Sequence, residues 1–118
     1  MPDPRNLLPL PSHDFQVLLT LAGGPRHAYG LARAVETGGE SGVRLEIGSL
    51  YRMLARMTAA GLIEMFDPPE DAEGHEARRR YYRITPFGRR VAAAEAARLD
   101  RALRIARKHK LLPERGAR

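Results

Sequence analysis

The sequence predicts a mainly α fold with a small antiparallel β-hairpin and a long C-terminal helix. Three observations predict it. Three short stretches have helical apolar spacing and end at glycine; two strand-like runs flank a charged loop; and a last apolar-spaced stretch is too long for one small core to cover. With 118 residues, 43% of them apolar, there is room for one compact domain and one protruding element, but not for a deep cleft between lobes.

Residues 1–11 are proline-rich and form an arm. Ser12 reads as the N-cap of a first helix over His13–Ala22, with Phe15, Val17, Leu18, Leu19, Leu21 and Ala22 as its apolar positions. Gly23-Gly24-Pro25 stops it. A second helix runs from His27 to about Thr37. Tyr29, Leu31, Ala32, Ala34 and Val35 are its apolar positions, Arg33 and Glu36 point outward, and Gly38-Gly39 ends it. Residues 42–47 (GVRLEI) are a linker or a short extended piece. Ser49 is then expected to cap a third helix, Leu50–Ala60, terminated by Gly61. Leu50, Met53, Leu54 and Met57 form a narrow apolar stripe, which turns Tyr51, Arg52, Ala55 and Arg56 outward.

Leu62–Phe66 and Arg80–Thr85 read as two strands joined by a charged loop. In the second, Tyr82 and Ile84 face in and Tyr81 and Arg83 out, or the reverse if the register slips by one. Thr85 and Pro86 open the last helix, threonine as N-cap and proline at the first helical position. Running to about Lys110 at ~1.5 Å per residue, it would be roughly 37 Å long. Ala92, Ala96, Leu99, Leu103 and Ala106 recur at heptad-like steps along it. A seam with no remaining chain to pack on implies a second copy, hence a homodimer; the alternative is a solvated alanine-rich helix held by propensity alone. Phe15 and Phe87, on the first and last helices, belong to that interface or to the domain core. The expected organisation is therefore an arm at 1–11, a core domain at 12–85, a dimerisation helix at 86–110 and a tail at 111–118.

The charge is uneven. The total is +6, yet residues 1–40 carry three arginines against four carboxylates, and most of the positive charge lies in residues 78–118. Lysine occurs only at 108 and 110, so the cations are almost all guanidinium, the group suited to phosphate and guanine. A basic balance suggests a polyanionic partner without proving one.

The order helix, helix, helix, hairpin, helix is the outline of a winged helix-turn-helix, in which the third helix enters the DNA major groove and the hairpin touches the backbone nearby. Some such domains bind only proteins, so a protein-binding adaptor is the rival. Particular residues add to the outline: Tyr29-Gly30 in the second helix, Ser49-Leu50-Tyr51 and Leu54 in the third, Gly61-Leu62-Ile63 at its exit, Arg80-Tyr81-Tyr82 in the strand, and Thr85 with Gly88 at the last helix. In this order they resemble the PadR family of transcriptional regulators over about residues 13–110.

The resemblance implies a sequence-specific regulator of double-stranded DNA that acts as a homodimer on a pseudo-palindromic operator. Its expected mode is repression by promoter occlusion. Arg52 and Arg56, four apart on one face, are placed to reach guanine edges or flanking phosphates. Tyr51 donates to a phosphate or packs against the second helix. Ser49 caps the third helix, whose start can also meet a phosphate. His27 or Tyr29 bonds a phosphate where the second helix crosses the backbone, unless Tyr29 is a core aromatic. Arg78, Arg79 and Arg80 form a phosphate clamp at the base of the wing. The wing itself departs from the usual basic pattern: Asp67, Glu70, Asp71, Glu73 and Glu76 would repel phosphate. Either the tip points away from DNA, or these acids neutralise the arginines in the free protein.

Other classes are excluded or unsupported. There is no cysteine, hence no disulfide, thiolate metal site or cysteine nucleophile. The four histidines (13, 27, 75, 109) lack metal-ligand spacing, the serines lack a nucleophile-elbow setting, and no glycine-rich phosphate loop exists. An enzyme, a metal and a cofactor are not expected. No stretch approaches the roughly 20 apolar residues of a membrane span, and the start does not read as a signal peptide, so a cytoplasmic protein is expected. Some members of the family bind flat aromatic compounds, often against tryptophan. This chain has no tryptophan, so no effector is assigned.

Overall fold

The structure, a computed structural model, describes residues 2–38, 47–67 and 80–113. Helix α1 spans Ser12–Ala22. It begins one residue before the expected start, because the Phe15 N–H already bonds the Pro11 carbonyl at 3.1 Å. Pro11 therefore holds the cap position, with no side-chain cap, and Ser12 is a first-turn residue rather than the N-cap. Asp14, Val17, Leu18 and Leu21 are its buried residues, at the spacing of one helix face.

Strand β1, Arg26–His27, was not foreseen. Two residues are too few for alternation to show in the sequence. The sheet is accordingly three-stranded and antiparallel in the order β1-β3-β2, where the sequence suggested a two-stranded hairpin. β2 is Ile63–Phe66 and β3 is Tyr81–Ile84, with Ile63 opposite Ile84 and Phe66 opposite Tyr81. Tyr82 and Ile84 face the core while Arg83 is exposed, the first of the two expected registers.

Helix α2 runs Ala28–Gly38 and α3 Ile47–Ala59. Residues 42–46, part of the expected linker, lie outside the described residues. Because α3 starts at Ile47, Ser49 is inside the helix and is not its cap. The underside of α3 is as expected: Leu50, Met53, Leu54 and Met57 are buried. Its end is a Schellman closure, in which the Leu62 N–H reaches the Met57 carbonyl, the Gly61 N–H reaches Thr58, and Gly61 takes φ +79°.

Helix α4, Pro86–Lys108, is capped by Thr85, whose Oγ1 accepts the Gly88 N–H at 2.9 Å. The same hydroxyl donates to the Gly61 carbonyl at 2.6 Å, tying the exit of α3 to the start of α4. Val91 and Ala92 enter the common core with α1, α2, α3 and the sheet. From Asp100 to Ile105 every residue of α4 is exposed, so the helix runs past the body that its first half completes. The arm is ordered: a 3-10 turn at Pro4–Leu7 contacts α4, and Leu8 and Leu10 pack against the core.

Candidate nucleic-acid interface

Burying one stripe of α3 forces its other face outward. Tyr51, Arg52, Ala55 and Arg56 are all exposed, Tyr51 at 54%. The two arginines differ in their partners. Arg52 Nη2 donates to the Ser49 hydroxyl at 3.1 Å. Arg56 forks onto Asp14, donating from Nη1 at 2.7 Å and from Nη2 at 2.9 Å. This pair has not been anticipated. Its one sequence signal is an acid standing in register with the apolar face of α1. The Asp14 hydrogen bonds push the Arg56 guanidinium above its ordinary value, against the opposing effect of desolvation. These residues line an open cleft of about 410 Å³ between the start of α1 and α3, which His13 and Pro11 also border.

A second cluster adjoins the start of α3. His27 Nδ1 accepts the Gly30 N–H at 2.9 Å, so the imidazole caps α2 in the manner of an N-cap side chain. Its ring stacks with Tyr29 at 6.4 Å and meets Tyr81 edge-on at 5.6 Å. Tyr29 is itself half exposed rather than a core aromatic. Tyr29 and Tyr51 flank a small pocket with Ala28 and Leu50, which brings the start of α2 beside α3. Burial pushes the Tyr82 phenol up; Tyr51 adds to the shift and Arg80 opposes it. His27 and Tyr29 thus cluster with Tyr81 at the start of α2, Tyr29 and Tyr51 border one pocket, Ser49 and Arg52 line the cleft beside α1, and Arg80 is exposed. On β2 and β3, Arg83 pairs with Glu64 at 2.7 Å and lies 4.8 Å from the Phe66 ring centroid. Arg78, Arg79 and the acidic wing residues Glu70, Asp71, Glu73 and Glu76 lie outside the described residues; Asp67 is exposed.

The expected dimer residues separate into two groups. Phe15 packs against the core and Ala92 is buried in it. Ala96 and Leu103 are exposed, while Leu99 and Ala106 are half-buried. Ile105 and Leu111, absent from the sequence expectation, are also exposed. Among the described residues no cluster of His, Asp and Glu could hold a metal, and no helix is long and apolar enough to cross a membrane.

Helices α1 to α3, the three-stranded sheet and a protruding last helix define a winged-helix protein of the kind found in bacterial transcription regulators. Residues 17–94 match the transcriptional regulator PadR-like family, and the chain belongs to it. That family is one of regulators, not of enzymes. The chain is similar to a PadR family transcription regulator from Clostridium difficile, with 21% identity, 84% of this chain and 98% of that one covered, and a TM-score of 0.71. It is similar in fold to Bacillus subtilis PadR, solved in complex with operator DNA, at 15% identity, 69% and 44% coverage and a TM-score of 0.57. In sequence it is 40% identical over 85 residues to an uncharacterized 37.1 kDa protein in a Streptomyces fradiae transposon. The match takes in 72% of this chain and only 22% of that protein's length.

Proposed function

We propose that the chain is a sequence-specific binder of double-stranded DNA that acts as a homodimer and represses by occluding promoters in the cytoplasm. The observation that carries this is the outer face of α3, where Tyr51 and Arg52 are exposed above an underside that is wholly buried. A helix anchored in this way can enter a major groove without giving up core contacts. Bacillus subtilis PadR, which shares the fold, was solved in complex with operator DNA, which supports DNA as the partner.

In this account Arg52 reads a base edge, with Ser49 steadying its guanidinium, and Tyr51 donates to a phosphate. His27, which caps α2, Tyr29 in its first turn, and Arg80, just before β3, meet the flanking backbone, together with Arg78 and Arg79. Residues 12–85, closed by the first half of α4, form the DNA-binding unit, and the rest of α4 to about residue 110 is the pairing segment. Ala96, Leu99, Leu103 and Ala106 face the second copy. Two such units present their α3 helices to half-sites roughly 34–36 Å apart or a multiple of that.

The deciding experiment is titration of a generic duplex at several salt concentrations. Binding should weaken by about 0.9 log units per log unit of salt for each phosphate neutralised. Absence of any salt-sensitive binding would overturn DNA recognition and leave a protein-binding adaptor.

A further inference from the structure

We propose that Asp14 is a specificity-determining residue of the DNA-facing surface: it withholds the Arg56 guanidinium from the duplex and leaves Arg52 to read the groove. This rests on the assignment of α3 to the major groove made above. In the sequence Arg52 and Arg56 are equivalent, one turn apart on the same exposed face. Their partners make them unequal. Arg52 gives one N–H to a neutral hydroxyl, which leaves its charge intact. Arg56 gives both terminal nitrogens to the two oxygens of a carboxylate. That carboxylate occupies the fork that a bidentate contact to guanine O6 and N7 would need. It also cancels the charge that would draw a phosphate.

Asp14 is not placed to let go. Its side chain is 3% exposed, against 58% for Arg56, and it shares the inward face of α1 with Val17, Leu18 and Leu21. It stands in the first turn of α1, where the helix dipole favours a negative charge. For Arg56 to swing toward DNA, this carboxylate would be left buried without a partner, an expensive state. Two unmasked arginines would raise attraction to every duplex through its phosphates, whatever the sequence. With one masked, the sequence-independent share of binding falls and the base-dependent share stays.

The test compares four forms of the 118-residue chain: wild type, R52A, D14N and the double variant D14N/R56Q. Each is titrated between 50 and 200 mM salt with a generic duplex and with a duplex selected by the wild type from random sequences. D14N should steepen the salt slope by about 0.9, close to a 3.5-fold larger loss of affinity across that range, and narrow the preference for the selected duplex. D14N/R56Q, which exchanges one neutral pair for another, should keep the wild-type slope and preference. R52A should lose the preference. A D14N slope equal to wild type would overturn the proposal, and so would a double variant whose slope falls by about 0.9. If D14N does not fold, the double variant, which leaves no unpaired charge, decides alone. Absence of salt-dependent binding by wild type would instead overturn the assignment of α3, so the two failures are distinguishable.

Discussion

The carboxylate of Glu95, buried on the inner face of α4, accepts the backbone N–H of Leu10 at 2.6 Å, while its other oxygen accepts from Arg98. One side chain thus fastens the N-terminal arm to the helix that leaves the domain. The Arg98 hydrogen bond holds the Glu95 carboxyl below its ordinary value; desolvation opposes it, and the Leu10 N–H assists. A lowered native value means that the unfolded chain takes up this proton at higher pH than the folded one. The stability it contributes is therefore complete above the unfolded value near 4.5 and is lost as pH falls through the lower native value. Glu95→Gln should be less stable than wild type at pH 7, and the gap should close toward pH 3, as followed by urea unfolding. A gap that stays constant with pH would mean that the ionised carboxylate is not what holds the arm. Glu95→Ala, which strands the Leu10 N–H, should cost about 1–3 kcal/mol.

Gly88 sits where the first turn of α4 crosses the end of α3 and the sheet. A Cβ there would stand 2.0 Å from the Leu62 carbonyl oxygen and 2.9 Å from Ile84 Cγ1. The nearer obstacle is backbone, which cannot rotate away. Gly88→Ala should therefore destabilise the chain by at least the ~1–3 kcal/mol typical of overpacking, although alanine is the better helix former. Chemical denaturation would measure this; a loss below 0.5 kcal/mol, on the order of an ordinary surface change, would contradict so close a contact.

The helical body was legible because its signals are local. The stripe Leu50, Met53, Leu54, Met57 reported which side of α3 is buried, and Thr85-Pro86 reported where α4 begins. The starts of α1 and α3 were misplaced for one reason. Serine suits the cap at both, whereas Pro11 holds that position at α1, and at α3 Ser49 lies inside the helix as the acceptor for Arg52. Strand β1 escaped because its order comes from pairing with Tyr81 and Tyr82, far away in sequence.

The exposed face of α3 was equally legible, since amphipathicity states which residues point out. What the outward residues touch is a matter of tertiary contact. The Arg56–Asp14 pair joins residues 42 apart and the Leu10–Glu95 bond residues 85 apart. No spacing rule reaches that far. Ala92 shows the converse limit: the seam spacing places it with Ala96 and Leu103, but the body of the domain already covers it.

Tyr51 and Arg52 are adjacent on α3 and should fail in different ways when altered. Arg52→Ala removes a group able to distinguish bases, so binding to the preferred duplex should weaken by about 1–3 kcal/mol and the preference at one position should relax. Tyr51→Phe removes only a hydroxyl, so affinity should fall by roughly 0.5–1.5 kcal/mol and evenly across sequences. Because both side chains are exposed, neither variant should change the unfolding midpoint appreciably. Selection of bound fragments from random duplexes, run on both variants, separates the two outcomes. An unchanged preference with Arg52→Ala would remove Arg52 from base reading.

Leu103 is 43% exposed and Ile105 57%, on the part of α4 that extends past the core. Leaving Leu103 in water forgoes about 25 cal/mol per Å2 of apolar surface, which pairing of that face with a second α4 would recover. Leu103→Asp places a charge on the proposed seam but not in the core of the single chain. It should therefore halve the mass measured by sedimentation equilibrium and leave the helical circular dichroism of the body intact. Binding to a duplex with two half-sites should fall much further than binding to a single half-site, because the linked second contact is lost. A Leu103→Asp protein that still sediments as a dimer would place the contact between copies elsewhere on the surface.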